Sequence, residues 1–77
     1  MVQFETLKKE EISFGRNNFL EVAKKKAITE EGENEFLSIS RGFVTRHGKR
    51  KYKRSIAIPL DANLIEFLVT TIQAMLE

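Results

Sequence analysis

The hydrophobic period of this 77-residue chain changes from two to about 3.6 residues at Pro59, and this change constrains the fold more than any other feature. Before Pro59, apolar and polar residues alternate in several stretches, which is the pattern of strands with one buried face. After Pro59, apolar residues recur at three- and four-residue spacing, as on one side of a helix. Because a run of strands followed by a helix favours an antiparallel sheet, we predict one α+β domain over residues 1–77. Its fold is a four-stranded antiparallel sheet with a C-terminal helix, in the order ββββα.

Alternation predicts four strands, at residues 12–14, 18–28, 35–46 and 51–59. A glycine in the segment 47–49 supplies the turn that joins the last two strands into a hairpin. The aliphatic side chains of the three longer strands fall in one phase, so we expect them to point inward, beneath the helix. This inward set is Leu20, Val22, Leu37, Ile39, Ile56 and Ile58.

The opposite face is predicted to be polar, basic and partly aromatic, with nothing in the chain left to cover it. Tyr52 and Arg54 instead share the phase of Ile56, and Gly42 predicts a bend or bulge in the third strand. Residues 1–10 alternate like a strand but also contain apolar residues at helical spacing, so we treat them as an N-terminal extension. The residues assigned to the open face are Phe19, Phe36, Ser38, Ser40, Lys51, Lys53 and Ser55.

The closing helix is predicted to run from Asp61 to about Leu76. Asp61 is a suitable N-cap, because its carboxylate accepts from free backbone N–H groups and its charge suits the helix dipole. Apolar residues occupy two sides of this helix, whereas a surface helix normally needs one apolar stripe. The second side favours a helix-mediated homodimer, and a helix sunk deeply into one sheet is the alternative. The expected dimer interface comprises Leu64, Phe67, Leu68, Thr71 and Met75.

The segment from Arg41 to Arg54 is the most charged part of the chain. It holds seven cations and no acid, so that with a net charge of +2 the other residues together carry −5. Phosphate backbones bind to local positive surfaces, and aromatic residues among cations provide stacking partners for single-stranded bases. A basic hairpin can instead be a solvated edge that discourages edge-to-edge pairing. The density of cations here favours an anionic polymer as the ligand.

A second basic cluster, Lys24 to Lys26, lies on an adjoining strand and is expected to extend one continuous basic surface. Tyr52 is surrounded by cations and is the better stacking candidate, while Phe19, Phe36 and Phe43 each fit either stacking or packing in the core or dimer. Phe19 and Phe36 are therefore secondary stacking candidates. The predicted nucleic-acid-binding residues are Lys24, Lys25, Lys26, Arg41, Phe43, Arg46, Lys49, Arg50, Lys51, Tyr52, Lys53 and Arg54.

The composition provides few candidate catalytic residues. The chain has no cysteine, its one histidine, His47, lies in a cationic turn, and its one aspartate is the helix cap. The glutamates of residues 30–35 fit a solvated turn, and neither a phosphate-cradling glycine motif nor metal-ligand spacing occurs. We therefore expect a non-enzyme without cofactor or metal. No apolar run reaches the roughly 20 residues of a membrane span, and the N-terminus lacks a signal sequence, so we expect a cytoplasmic, nucleoid-associated protein.

Segments 14–22, 37–43 and 53–58 together resemble the positive cofactor four family of transcriptional coactivators. In that family a strand ends in a glycine and basic residues, and an aromatic-led alternating strand follows, as in FGRNNFLEV at 14–22. A second hairpin and a closing helix follow in both. The resemblance covers residues 12–75 and rests on strand order, turns and charge. Whirly proteins, Pur-repeat proteins and small archaeal single-stranded DNA-binding proteins share the layout, and the Lys and Glu bias of this chain fits the archaeal branch.

The resemblance implies a dimer, paired through the helix, whose sheets form a saddle for single-stranded DNA. By position, Phe43 resembles the family's stacking aromatic on the third strand, and Lys53–Arg54 resembles its basic pair on the fourth. Arg41 or Ser40 stands near its third-strand arginine. The family's other stacking aromatic, in the loop after the second strand, has no counterpart in residues 24–35. Binding is therefore expected to depend more on charge and less on stacking than in the family.

The sequence thus predicts a homodimeric protein that binds single-stranded nucleic acid, DNA before RNA, with little sequence preference. One alternative is a transcription-cofactor-like interaction module that binds an acidic protein partner. The other is a protein that binds structured RNA. Transcription or repair proteins would then be further partners, and no membrane is expected among them.

Overall fold

The computed structural model describes residues 2–77 and contains one antiparallel sheet of four strands followed by one helix. The strands are β1 (Gln3–Phe14), β2 (Asn18–Thr29), β3 (Gly32–Val44) and β4 (Arg50–Pro59), and the helix is α1 (Ala62–Ala74). Each strand pairs with its neighbours in the chain, in the order β1-β2-β3-β4. The predicted α+β class and the ββββα order are confirmed.

The N-terminal residues form the first half of β1 rather than an extension. Gln3–Phe14 pairs with β2 along its length, so of the two patterns in residues 1–10 the strand alternation applies from Gln3 onward; Met1 lies outside the described residues. The register shifts between Thr6 and Lys8, which leaves one extra residue in the strand. This bulge interrupts the alternation and accounts for the helical spacing of apolar residues in this part of the sequence.

The remaining boundaries differ from the predicted ones by a few residues. β3 begins at Gly32, so the acidic turn contains only Glu30 and Glu31, and the next turn spans 45–49. The helix ends at Ala74, two residues before the predicted end, a difference within the usual spread of helix termini. No helix in the described part of the chain has the length and apolar character needed to cross a membrane.

The register gives the sheet two faces of different composition. Residues directly opposite each other in paired strands share a face, and successive residues alternate between faces. The arginine face carries Ile12, Phe14, Leu20, Val22, Leu37, Ile39, Arg41, Phe43, Arg54, Ile56 and Ile58. The serine face carries Phe19, Glu21, Ala23, Phe36, Ser38, Ser40, Gly42, Tyr52 and Ser55.

The serine face holds most of the buried residues, which reverses the predicted direction of burial. Phe19 and Ala23 are each 1% exposed, whereas Val22 and Ile56 of the arginine face are 47% and 58% exposed. Among the predicted inward residues, Ile58 alone is buried. The shared phase of these aliphatic residues was therefore predicted correctly, but their burial was wrong because the helix does not lie over them. The buried polar residues of the serine face are Glu21, Ser38 and Ser40.

The helix α1 leaves both faces of the sheet largely uncovered. Asp61 caps it as predicted, with its Oδ1 accepting from the backbone N–H groups of Asn63 and Leu64 at 2.9 and 3.2 Å. None of its described residues is buried, and its backbone hardly approaches any strand. Phe67 and Met75 are 64% and 76% exposed. Apolar surface on the helix and on the arginine face thus remains open in the single chain.

A second bulge lies in β4. Arg41 pairs with Arg54, but the next residue of β3, Gly42, pairs with Tyr52, so that Lys53 has no partner. The register therefore shifts at Gly42, as predicted, although the extra residue belongs to the partner strand. The predicted alternation of β4 holds from Arg54 onward and is wrong before it, because the bulge turns Tyr52 to the serine face.

Candidate nucleic-acid interface

Four of the predicted cations lie together on the arginine face. Arg41 is directly opposite Arg54, Lys51 is opposite Phe43, and the bulge places Lys53 beside Arg54. All four cations are exposed, and none has a carboxylate partner within the described residues. The sequence had assigned Lys51 and Lys53 to the other face. The bulge explains that error, because one extra residue reverses the phase of everything before it.

Two aromatic rings lie among these cations. The guanidinium carbon of Arg41 is 5.6 Å from the ring centroid of Phe14, and Nζ of Lys53 is 5.7 Å from that of Phe43. Both distances are within the range of about 6 Å at which a cation is attracted to a ring face. Phe14 is 38% exposed and Phe43 is half-buried, so both rings keep accessible surface. Phe14 was not predicted as a site residue, because only the strand register brings it beside Arg41.

An open depression of about 410 Å³ is lined by Arg41, Lys53 and Arg54. Guanidinium groups present a planar fork of N–H donors that matches phosphate oxygens, and a lysine ammonium adds a compact charge. Anionic oxygens are therefore the ligand atoms that this depression fits best.

Two turns add further cations at the same end of the sheet. The backbone N–H of Val44 donates to the carbonyl oxygen of Asn17 at 2.7 Å, which holds the β1–β2 turn beside the end of β3. Arg16 in that turn was not predicted as a site residue, and the contact between this turn and the end of β3 is what brings it here. The acidic turn, Glu30–Glu31, lies at the opposite end of the strands. We call the cationic group the basic end: Arg16, Arg41, Arg46, Lys49, Lys51, Lys53 and Arg54.

The second lysine cluster is not part of the basic end. Lys24 and Lys26 each lie 3.4 Å from a glutamate of β3, Glu35 and Glu33 respectively, and Lys25 is on the serine face. Aliphatic side chains of the arginine face separate these lysines from the basic end. The predicted continuous basic surface is therefore wrong, because the pairing of β2 with β3 sets the lysines against the acids that follow the turn.

Arg50 and Tyr52 form a cluster on the serine face. Arg50 donates to both carboxylate oxygens of Glu11, with Nε 2.9 Å from Oε2, and lies 5.6 Å from the ring centroid of Phe19. The Tyr52 hydroxyl donates to Oε2 of Glu21 at 2.7 Å, and its ring meets Phe19 edge-on with centroids 5.3 Å apart. Phe19 is thus a core residue, so the core alternative is confirmed and the stacking alternative is wrong.

These contacts also shift the pKa values of the groups involved. The hydrogen bonds from Arg50 hold the pKa of Glu11 below its usual value, and Glu11 in turn raises the pKa of Arg50. The hydrogen bond to Glu21, helped by burial, raises the pKa of Tyr52 above its usual value of 10.0. The polar groups of this cluster are therefore engaged with each other.

Phe36 lies on the serine face away from the basic end. Its ring meets that of Phe4 edge-on, with centroids 6.1 Å apart, and Lys25 is directly opposite it in β2.

No known protein family, characterised protein or solved structure matches this chain. The grouping of side chains is therefore the guide to function, and it separates the basic end from Phe36, Lys25 and the lysines paired with acids.

Proposed function

We propose that this protein is a homodimer that binds single-stranded nucleic acid, DNA before RNA, through the basic end of its arginine face. The observation that carries the proposal is a group of exposed cations around the rings of Phe14 and Phe43, which have no carboxylate partners among the described residues. The cations are suited to phosphates, and the rings and guanidinium planes to stacking on bases. Neither contact reads the edges of the bases, so the expected sequence preference is small.

Single strands fit this surface better than duplexes. The rings stand on the face of a sheet, so a base can reach them only if it has left the stack of a double helix. A duplex would offer its phosphates to the cations and leave the rings without a partner. We therefore expect tighter binding to a single strand than to a duplex of the same length at one salt concentration.

The surface area of the single chain supports the homodimer. Its accessible surface is 6656 Å², whereas a folded monomer of its mass is expected to expose about 4,800 Å². The excess of about 1,800 Å² lies within the range of about 1,000–2,500 Å² that one subunit of an obligate dimer buries. The radius of gyration, 14.7 Å, likewise exceeds the value of about 11.5 Å expected for a compact chain of this length.

The helix offers the apolar surface that such a dimer would bury. Of the predicted interface residues, Phe67 and Met75 are strongly exposed, Leu64 is 37% exposed, and Leu68 and Thr71 are half-buried. Transfer of such side chains from water contributes about 25 cal/mol per Å² of apolar area. We propose that the helices of two subunits pair, which would leave the basic end of each subunit free.

The proposed role is binding, with no reaction and no cofactor assigned to the basic end. The strand order, together with the Lys53–Arg54 pair on the fourth strand, supports kinship with the positive cofactor four family as part of the proposal. On that basis the protein would act on nucleoid DNA in the cytoplasm, with transcription or repair proteins as further partners.

The test is a titration of a labelled oligothymidine at several salt concentrations. Log affinity should fall with log salt by about 0.7 per phosphate contact. The double variant Lys53→Ala, Arg54→Ala should flatten this slope by roughly one to two units. Lys24→Ala, Lys26→Ala removes the same charge from the same face and is the matched control, with an unchanged slope expected.

Two outcomes would overturn the proposal. An equal loss of slope in both double variants would show that only net charge matters, and binding that oligonucleotides cannot displace from a protein partner would favour the interaction module. The mass in solution tests the dimer separately, with twice the chain mass of 8.9 kDa expected. A monomer at binding concentrations would contradict that part. The same titration with RNA and duplex DNA ranks the ligands.

A further inference from the structure

The bulge in β4 decides which side chains reach the basic end. In a regular ladder continued from the Arg41–Arg54 pair, Gly42 would face Lys53, and Tyr52 would turn to the arginine face. The observed register instead pairs Gly42 with Tyr52 and leaves Lys53 as the extra residue beside Arg54. The bulged register therefore presents Lys51 and Lys53 on the arginine face, where a regular register would present Arg50 and Tyr52.

Contacts of Tyr52 favour the bulged register. Its hydroxyl donates to Oε2 of Glu21 at 2.7 Å, and its ring rests edge-on against Phe19 with centroids 5.3 Å apart. Both partners belong to β2, two strands away, so Tyr52 ties β4 to the middle of the sheet across β3. Glu21 is 4% exposed, and a carboxylate so deeply buried is costly to leave without a donor.

Gly42 provides the space for this arrangement. A Cβ at this position would lie 2.2 Å from the backbone oxygen of Lys51 and 2.8 Å from Cζ of Phe19. The absence of a side chain therefore lets β4 and the Phe19 ring approach β3 closely where Tyr52 crosses it. Arg50, held by Glu11 on the same face, anchors β4 two residues further along.

We propose that Tyr52 and Glu21 are positioning residues, which hold β4 in the bulged register and so place Lys53 beside Arg54 and Arg41 on the binding face. Tyr52 then acts on nucleic acid through Lys53, and its ring is not a stacking platform. This role rests on the proposed function only for its consequence in binding. The register itself is a property of the free protein.

Tyr52→Phe separates positioning from stacking, because it keeps the ring and removes the hydroxyl. If Tyr52 holds the bulge, the salt slope of oligothymidine binding should flatten by up to about 0.7, because Lys51 and Lys53 leave the face and Arg50 alone replaces them. In a Lys53→Ala background the same change should add nothing to the slope, because Lys51 and Arg50 then exchange faces without a net loss of charge. If Tyr52 stacks on bases, Tyr52→Phe should bind like the wild type, and that result would overturn the proposal.

Glu21 gives a second route should Tyr52→Phe fail to fold. Glu21→Gln keeps an oxygen that can accept from the Tyr52 hydroxyl and should retain the wild-type slope, whereas Glu21→Ala should flatten it. Equal slopes for the two variants would overturn the role of Glu21. Tyr52 is the only tyrosine and the chain has no tryptophan, so an absorbance titration reports directly on its hydroxyl in each variant.

The register is read without nucleic acid. Cross-strand NMR contacts between positions 42 and 52 should be present in the wild type and in Glu21→Gln, and weakened in Tyr52→Phe and Glu21→Ala. Unchanged contacts in all four proteins would overturn the positioning role even if binding changed. A wild type that shows these contacts but does not bind oligothymidine would overturn the proposed function and leave the positioning of the bulge standing.

Discussion

The two faces of the sheet differ in whether their charged side chains have partners within the chain. On the serine face, Glu21 is bonded to Tyr52, and Arg50 is bonded to Glu11. On the arginine face, the cations of the basic end have no carboxylate partner within the described residues, and neighbouring aliphatic side chains stay exposed. The difference is that these polar groups of the serine face are paired within one chain, whereas the cations of the basic end remain exposed.

Three serines show how polar side chains are buried on the serine face. The hydroxyl oxygens of Ser38, Ser40 and Ser55 form a triangle with separations of 3.4, 3.2 and 2.9 Å. No buried side-chain nitrogen or oxygen atom among the described residues lacks a hydrogen-bond partner. Small side chains that hydrogen-bond to each other can be buried at low cost.

The largest expected effect tests which face holds the core. Phe19→Ala should lower the free energy of unfolding by about 3–5 kcal/mol, because it removes a fully buried ring. Leu20→Ala, one residue along on the arginine face, should cost less than about 1 kcal/mol at the same protein concentration. Urea denaturation measures both. Equal costs would mean that the arginine face is covered in solution and would break the comparison.

A smaller effect tests which face stacks on bases. Phe43→Ala should weaken oligothymidine binding by about 1–3 kcal/mol with little change in salt slope, because it removes a ring and no charge. Phe36→Ala on the serine face is the matched control and should bind like the wild type. If Phe43→Ala instead unfolds the protein, Phe43 is core. An equal loss from Phe36→Ala would place binding on the serine face.

The sequence predicted the elements of the fold but not the direction of burial. Alternation identified which side chains of β2 and β3 share a face, since a period of two survives any curvature of the sheet. Alternation could not show that α1 leaves the sheet uncovered, because burial depends on where the helix lies relative to the sheet after Pro59. The aliphatic face was therefore assigned to the core.

The candidate site was predictable in composition and less so in arrangement. Charge density located the segment from Arg41 to Arg54, which contains most of the basic end. Alternation alone could not place Lys53, because a bulge inserts a residue where the sequence shows only a glycine on the other strand. Phe14 and Arg16 were missed for a related reason: they join the site through strand pairing and through the contact of the β1–β2 turn with the end of β3, which no local pattern reveals.

The smallest expected effect compares two arginines of one strand, Arg50 on the serine face and Arg54 on the arginine face. Arg54→Ala should flatten the salt slope by about 0.7, the value of one phosphate contact. Arg50→Ala should leave the slope unchanged, because Arg50 is already bonded to Glu11. A loss of slope in Arg50→Ala would show that nucleic acid competes with Glu11 and that the serine face is open after all.

The acid titration of Glu11 reports the same pairing without a ligand. Arg50 lowers the pKa of Glu11, so the stability that the pair contributes is fully present above the usual carboxyl pKa of about 4.5 and is lost as the pH falls through the lower value in the folded state. NMR titration of the Glu11 carboxyl should show its pKa rise in Arg50→Ala and stay low in Arg54→Ala. The effect should shrink with added salt, because the pair is partly solvated. An unchanged pKa in Arg50→Ala would mean that the pair does not form in solution, and Arg50 would then be as available to a phosphate as Arg54.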